Sequence, residues 1–366
     1  MEYRKNIRSG RDISVIGLGS SSIGGASAKE IQETVEHALE RGVNYFDMAA
    51  GDSKPFAPYG DAIAATGKRS SALFQIHFGA NYESGSYGWT TNPEKIRKSV
   101  EWQMKMLRTD YIDFGFIHCL DEDEDLEAVR REGVIDHILK LKEQGIVRNV
   151  GLSTHTPAIA EKLLDMGMVD MLMFSINPGY DWRHGDYAKG STDERMHLYR
   201  RCEAEGVGIS VMKPFSGGQL LDVGTSPFHR ALSRYQCIQY ALDKPGVLTV
   251  LPGVRGMADL DDVLGFFDAP ASERDYSVIG SFTPAEAEGI CVYCNHCQPC
   301  PRHIDVGLVN KYYDLAKAGD RLAVSHYQSL AVKADACISC GHCDRRCPFH
   351  VSQSSRMKEI AEYFLT

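Results

Sequence analysis

The stretch IDFGFIHC, residues 112–119, packs β-branched and aromatic residues into one short run that ends on a titratable side chain. Seven more runs of this kind flank it: Ile13–Gly19, Asn44–Ala49, Leu73–Gly79, Asn149–Thr154, Met171–Asn177, Gly208–Pro214 and Val247–Gly253. Short, nearly continuous apolar runs mark strands that are covered on both faces, as in a parallel sheet. Amphipathic helical stretches lie between most of them. Lys29–Arg41 places Ile31, Val35, Ala38 and Leu39 on one face, and Glu94–Leu107 does the same with Ile96, Val100, Met104 and Leu107. Ala128–Gln144 reads as a single helix stopped by Gly145. Eight strands, each followed by a helix, predict an α/β fold of the (β/α)8 TIM-barrel type. The alternative is a doubly wound open sheet. Gly17-Leu18-Gly19 with Gly24-Gly25 misses the G-x-G-x-x-G spacing that would support it.

In such a barrel the chemistry sits at the C-terminal ends of the strands. Those ends read Asp47, His77, His118, then Ser153, Thr154 and His155, then Asn177, Lys213 and Arg255. Asp47, His77 and His118 close the second, third and fourth strands, so three titratable groups converge on one mouth.

Beyond the barrel lie two cysteine runs. Cys291, Cys294, Cys297 and Cys300 precede Pro301, and Cys337, Cys340, Cys343 and Cys347 precede Pro348. The second run is C-x2-C-x2-C-x3-C-P, the spacing that holds a [4Fe–4S] cluster in bacterial ferredoxins. The first differs only in its last gap. In two-cluster ferredoxins the fourth cysteine of each run serves the other cluster. On that logic Cys291, Cys294, Cys297 and Cys347 hold one cluster, and Cys337, Cys340, Cys343 and Cys300 hold the second. Zinc is the nearest alternative, but zinc pairs are usually separated rather than fused into runs of four. Disulfides need an oxidising compartment, and MEYRKNIRSG has no apolar core of a secretory signal. Cys119, Cys202 and Cys237 stand singly and read as small buried hydrophobes.

The chain has 366 residues, enough for one large domain and a small one. We place the barrel at 1–270 and a small, mainly helical ferredoxin-like domain with two clusters at 284–366, joined by a linker over Phe267–Pro284. The net charge of −9 belongs to the first 283 residues, because acidic and basic residues balance from Pro284 onward. There is no basic stripe, which argues against nucleic-acid binding. No apolar run approaches the ~20 residues of a membrane span. The acidic run Asp121–Asp125 reads as a solvated loop.

Several motifs resemble those of the aldo/keto reductase superfamily, and of its subgroup with a C-terminal ferredoxin-like domain. GVNYFDMA at 42–49 resembles G-x-N-x-F-D-T-A, and Tyr59-Gly60 its Y-G. DYIDFGFIH at 110–118 resembles D-Y-[IL]-D-L-x-x-x-H, and Gly151–His155 the G-[IV]-S-N segment. VMKPFSGG at 211–218 and LPG at 251–253 resemble the two late strands. The resemblance implies a catalytic tetrad of Asp, Tyr, Lys and His. By motif, Asp47, Tyr59 and His118 fill three of those places, and His77 stands where the family has its lysine. A phenol with a pKa near ~10 is a poor acid unless a cation stabilises its phenolate. Histidine supplies that cation only when protonated. The resemblance also implies NADP(H), held by Ser153, Asn177, Lys213, Gly217, Gly218 and Arg255. Thr154, Ser175 and Ile176 depart from the family's residues around that site, and the family's tyrosine usually lies closer to its aspartate than the twelve positions found here.

The expected function is therefore oxidoreduction of a carbonyl or hydroxyl on a small organic substrate, with Tyr/His acid–base catalysis. One alternative is an NAD(P)-independent enzyme fed through its clusters by a ferredoxin or flavodoxin, or running a redox-neutral elimination or isomerisation at the modified tetrad. Another is an electron-transfer subunit. Oxygen-sensitive clusters favour a cytoplasmic setting.

Overall fold

The computed structural model describes residues 1–181, 189–228, 230–281, 289, 291, 293, 297–317, 321–347 and 349–365. The chain divides into two units, Met1–Arg274 and Asp275–Thr366.

In the first unit the eight apolar runs become eight strands: β1 Leu18–Gly19, β2 Tyr45–Asp47, β3 Leu73–Phe78, β4 Ile112–Ile117, β5 Val147–Ser153, β6 Met171–Ser175, β7 Gly208–Met212 and β8 Val247–Val250. Each pairs in parallel with its sequence neighbour. The sheet curls until its edges meet. Gly17 N–H donates to the Val250 carbonyl and Val250 N–H to that of Val15, both at 2.9 Å. Closure removes the open edge that a doubly wound sheet would keep. An antiparallel hairpin, Tyr3–Lys5 with Asp12–Ser14, precedes the barrel. Its Arg4 guanidinium donates to the carbonyls of Leu242 and Val247 where the chain enters β8.

Alternation along the strands fills the barrel interior. Ile13, Tyr45, Leu73, Phe114, Phe116, Met171, Met173 and Leu251 form one buried cluster. The Phe116 ring lies over Gly151 on β5. A Cβ there would sit 2.4 Å from a ring carbon, so only glycine fits opposite Phe116.

Two expectations need correction. The helix read over Ala128–Gln144 is two helices, Asp123–Arg131 and Val134–Glu143, because Gly133 takes a left-handed conformation (φ +72°) and breaks the ladder. Asp121–Asp125 is not a solvated loop. Asp123, Glu124 and Asp125 form the first turn of the earlier helix, where carboxylates suit the positive end of the helix dipole.

The second unit is helical: Val306–Lys317, Arg321–Gln328, His342–Arg346 and Gln353–Leu365. Val306, Val309, Tyr313, Tyr327, Met357 and Ile360 form its core together with Cys297. No helix among the described residues is long and apolar enough to cross a membrane.

Candidate active site

Side chains two apart on a strand share a face. Tyr45 and Asp47 on β2, Gln75 and His77 on β3, and Phe116 and His118 at the end of β4 therefore stack in layers. In the upper layer, His77 Nε2 lies 2.7 Å from Asp47 Oδ1, and His77 Nδ1 lies 2.9 Å from His118 Nδ1. His77 is fully buried and Asp47 and His118 nearly so. Beneath them the Gln75 amide nitrogen sits 3.1 Å from His77 Nε2, and its oxygen accepts a hydrogen bond from the Tyr45 hydroxyl. Burial, reinforced by the neighbouring His77 and His155, pushes the His118 imidazole well below its ordinary value. His118 is therefore neutral at pH 7, with one ring nitrogen free to accept.

The fourth member of the expected tetrad lies elsewhere. Tyr59 sits within the helix Phe56–Thr66, fully buried, and its hydroxyl donates to the Gly19 carbonyl at 3.2 Å. It hydrogen-bonds neither histidine. The hydroxyl at His118 Nε2, 2.8 Å away, belongs to Tyr87. Tyr87 stands in the excursion that follows β3, which carries the short strand pair Ala80–Asn81 and Gly88–Trp89. The motifs gave no reason to single it out.

A cavity of about 580 Å3 opens beside this layer, with Asp47 in its wall. Lys213, Gly217, Gly218 and Arg255 line it. Ser153 and Asn177 do not line it. Both are buried, and the Asn177 amide donates to the Lys213 carbonyl at 2.8 Å, holding the end of β7. Gly217 and Gly218 adopt positive φ (+65° and +96°), and nothing lies within 4 Å of where their Cβ atoms would be. Such a bare backbone turn suits a diphosphate. Burial pulls the Lys213 ammonium down to about 8, although Cys119 and Asp121 work the other way. Arg255 pairs with Asp259 at 2.7 Å, and Arg234 reaches the same carboxylate at 3.7 Å.

A second polar group forms where β4 and β5 end. Asp121 Oδ2 lies 2.9 Å from His155 Nδ1, and its other oxygen accepts from His155 N–H at 2.7 Å. Burial works against the Asp121 carboxylate, yet these bonds hold it down at about 2. Cys119 lies against Asp121 and is only half-buried, unlike Cys202 and Cys237, which are fully buried as expected.

In the tail, Cys300, Cys337, Cys340 and Cys343 all line one small cavity of about 20 Å3. Of the other set, Cys291, Cys297 and Cys347 are described, whereas Cys294 lies outside the described residues. The Gln353 amide donates to Cys291 Sγ at 3.4 Å. The two runs also repeat one backbone signature. Tyr293 and Ser339, each just before the second cysteine, have φ of +58° and +52°. His303 and His350, each three residues past the last cysteine, have +58° and +51°. No disulfide links the described cysteines.

A model of the aldo/keto reductase family matches residues 15–231. The chain belongs to the aldo/keto reductase family. A model of the 4Fe-4S dicluster domain matches residues 290–352, so this family member carries an iron–sulfur domain C-terminal in sequence to its barrel. It is 28% identical to an uncharacterized oxidoreductase of Bacillus subtilis over 48% of this chain and 56% of that relative, so the match spans little more than half of that protein. It is 22% identical to the L-galactose dehydrogenase of Arabidopsis thaliana over 72% of this chain and 86% of the relative. Among solved structures, the holo form of an aldo-keto reductase from Bacillus halodurans shares the fold with a TM-score of 0.59 at 21% identity, covering 75% of this chain and 94% of that one. The chain is an oxidoreductase of aldo/keto reductase type.

Proposed function

We propose that the barrel reduces, or reversibly oxidises, a carbonyl or hydroxyl of a small organic substrate at the mouth beside His118. The observation that carries this reading is the hydrogen-bonded line Asp47–His77–His118, which runs beside a cavity walled by Asp47. Lys213, Gly217, Gly218 and Arg255 would hold NADP(H) there, and the bound nucleotide would supply hydride chemistry. His77, the residue in the lysine place, bridges Asp47 and His118 and would stand in for the family's lysine when protonated. Neutral His118 would relay a proton toward the substrate oxygen.

The tail would hold two [4Fe–4S] clusters, one on Cys300, Cys337, Cys340 and Cys343 and one on Cys291, Cys294, Cys297 and Cys347. The shared cavity of the first set and the repeated backbone signature support this pairing. The dicluster match also favours a second reading, in which electrons from a ferredoxin or flavodoxin enter through these clusters.

Anaerobically purified protein titrated with NADPH and NADH, with iron assayed in parallel, separates these readings. Saturable NADPH binding with NADPH-dependent reduction of 4-nitrobenzaldehyde is the expected result. No binding at millimolar nucleotide, with turnover only from reduced ferredoxin, hands the site to the second reading. Iron-free protein removes the clusters from both.

A further inference from the structure

We propose that Tyr87, not Tyr59, is the hydroxyl that exchanges a proton with the substrate oxygen, and that the line Asp47–His77–His118 recharges it. This rests on the reductase reading above.

Placement is the first argument. Tyr87 extends the line by one member, its hydroxyl 2.8 Å from His118 Nε2. Asp47, His77 and His118 are buried, whereas Tyr87 is 41% exposed. Tyr87 is the exposed member of the line, whereas Asp47 is the member in the cavity wall. The fully buried Tyr59 hydroxyl already serves the Gly19 carbonyl.

The excursion bearing Tyr87 is fastened on both sides. Tyr87 N–H donates to the Gly51 carbonyl at 3.0 Å and Ser53 N–H to that of Gly85 at 2.9 Å, tying it to the loop after β2. The Trp89 indole donates to the His118 carbonyl at 3.0 Å, and Thr90 N–H to the Gly79 carbonyl at 2.9 Å, tying it to β4 and β3. A proton donor must be held in register with its acceptor to be effective. Burial, with Cys119 nearby, pushes the Tyr87 phenol up to about 12. It therefore keeps its proton until the substrate oxygen gains negative charge.

The step balances as follows for reduction. The C=O π bond breaks as carbon gains a hydride supplied by a reduced nicotinamide dinucleotide, and oxygen gains the Tyr87 proton. Tyr87 regains a proton from His118 Nε2, and His118 Nδ1 takes one from His77 Nδ1. The relay needs His77 to start with hydrogens on both ring nitrogens; it ends neutral, its Nε2–H still donating to Asp47 Oδ1. One proton from solvent restores it.

The test compares Tyr87→Phe, Tyr59→Phe and the parent, all as full-length anaerobic protein. With NADPH and 4-nitrobenzaldehyde, Tyr87→Phe is expected to lower kcat on the order of 10²-fold or more, with the NADPH dissociation constant held within about twofold. In protein labelled with ¹⁵N-histidine, Tyr87→Phe is expected to shift the His118 Nε2 resonance. Retained turnover in Tyr87→Phe, or a loss that falls on Tyr59→Phe instead, overturns the proposal. If the parent reduces no carbonyl, the reductase reading fails by itself. The resonance then decides alone: a His118 signal unmoved by Tyr87→Phe overturns the contact on which the proposal stands.

Discussion

Nδ1 of His118 lies 2.9 Å from Nδ1 of His77. Only one of two nitrogens in such a contact can carry the hydrogen, so the two rings are not independent. Because burial and His77 together keep His118 neutral, the hydrogen belongs to His77 whenever that ring is an imidazolium.

Replacing the middle member should break the line at both ends. His77→Gln leaves Asp47 without its 2.7 Å partner and His118 Nδ1 without its ring-nitrogen partner. We expect kcat to fall on the order of 10²–10⁴-fold, the usual worth of acid–base catalysis. The buried groups left behind should cost about 1–3 kcal/mol of stability. Turnover of 4-nitrobenzaldehyde and urea unfolding measure the two effects separately. A variant with parent-like kcat would show that His77 is only a core residue.

Acid should weaken the barrel through His118. Its folded-state value is depressed below an unfolded value near ~6.5. The unfolded chain therefore binds more protons once pH drops below that value. Stability from this group is complete above ~6.5 and is lost as pH falls toward the folded value, by up to about 1.4 kcal/mol per pH unit. The groups facing His118 are His77, Tyr87, His155 and Asp121. Asp121, held at about 2, stays charged across that window. We expect the urea midpoint to drop between pH 7.5 and pH 5.5, and His118→Asn to flatten the drop. An equal drop in the variant would assign the effect to other groups.

Much of the barrel was legible because its strands are covered on both faces, so each appears as an unbroken apolar run. The break at Gly133 was not, because the apolar period continues across it and only the left-handed turn interrupts the hydrogen bonds. Asp47, His77 and His118 were readable as strand ends, where parallel register brings sequence-distant residues into one layer. Tyr59 was chosen because a glycine follows it. That glycine serves packing: a Cβ on Gly60 would sit 2.2 Å from the Met106 carbonyl oxygen. Tyr87 left no local trace, since its partner lies thirty-one positions away and the excursion that carries it has no periodic pattern. The resemblance places Ser153 and Asn177 at the nucleotide, and the structure shows the Asn177 amide donating to the Lys213 carbonyl.

Nucleotide affinity should depend on pH through Lys213. Burial pulls its ammonium down to about 8, and it lines the cavity beside the Gly217–Gly218 turn. As pH rises through that value the cation is lost, and attraction to a diphosphate goes with it. We expect NADPH binding, followed by fluorescence, to weaken by about tenfold between pH 7 and pH 9.5, equivalent to about 1.4 kcal/mol. Lys213→Met should bind at pH 7 as weakly as the parent does at pH 9.5, with no further change. A parent whose affinity is flat across this range would place the phosphates away from Lys213.

The two cysteine sets differ in exposure, and this should separate their clusters in air. Cys340 is exposed, and Cys300, Cys337 and Cys343 are half-buried, whereas of the described members of the other set Cys291 is half-buried and Cys297 and Cys347 are buried. Oxygen reaches a cluster through its exposed edge, so the Cys300/Cys337/Cys340/Cys343 cluster should bleach first. Anaerobic protein should contain roughly eight irons per chain, four per cluster. On admitting air, its visible absorption should decay in two phases of similar amplitude. Cys340→Ser should remove the faster phase and lower iron toward roughly four per chain, while Cys297→Ser should remove the slower one. A single phase in the parent, or the same phase lost in both variants, would show that the two runs do not hold separate clusters.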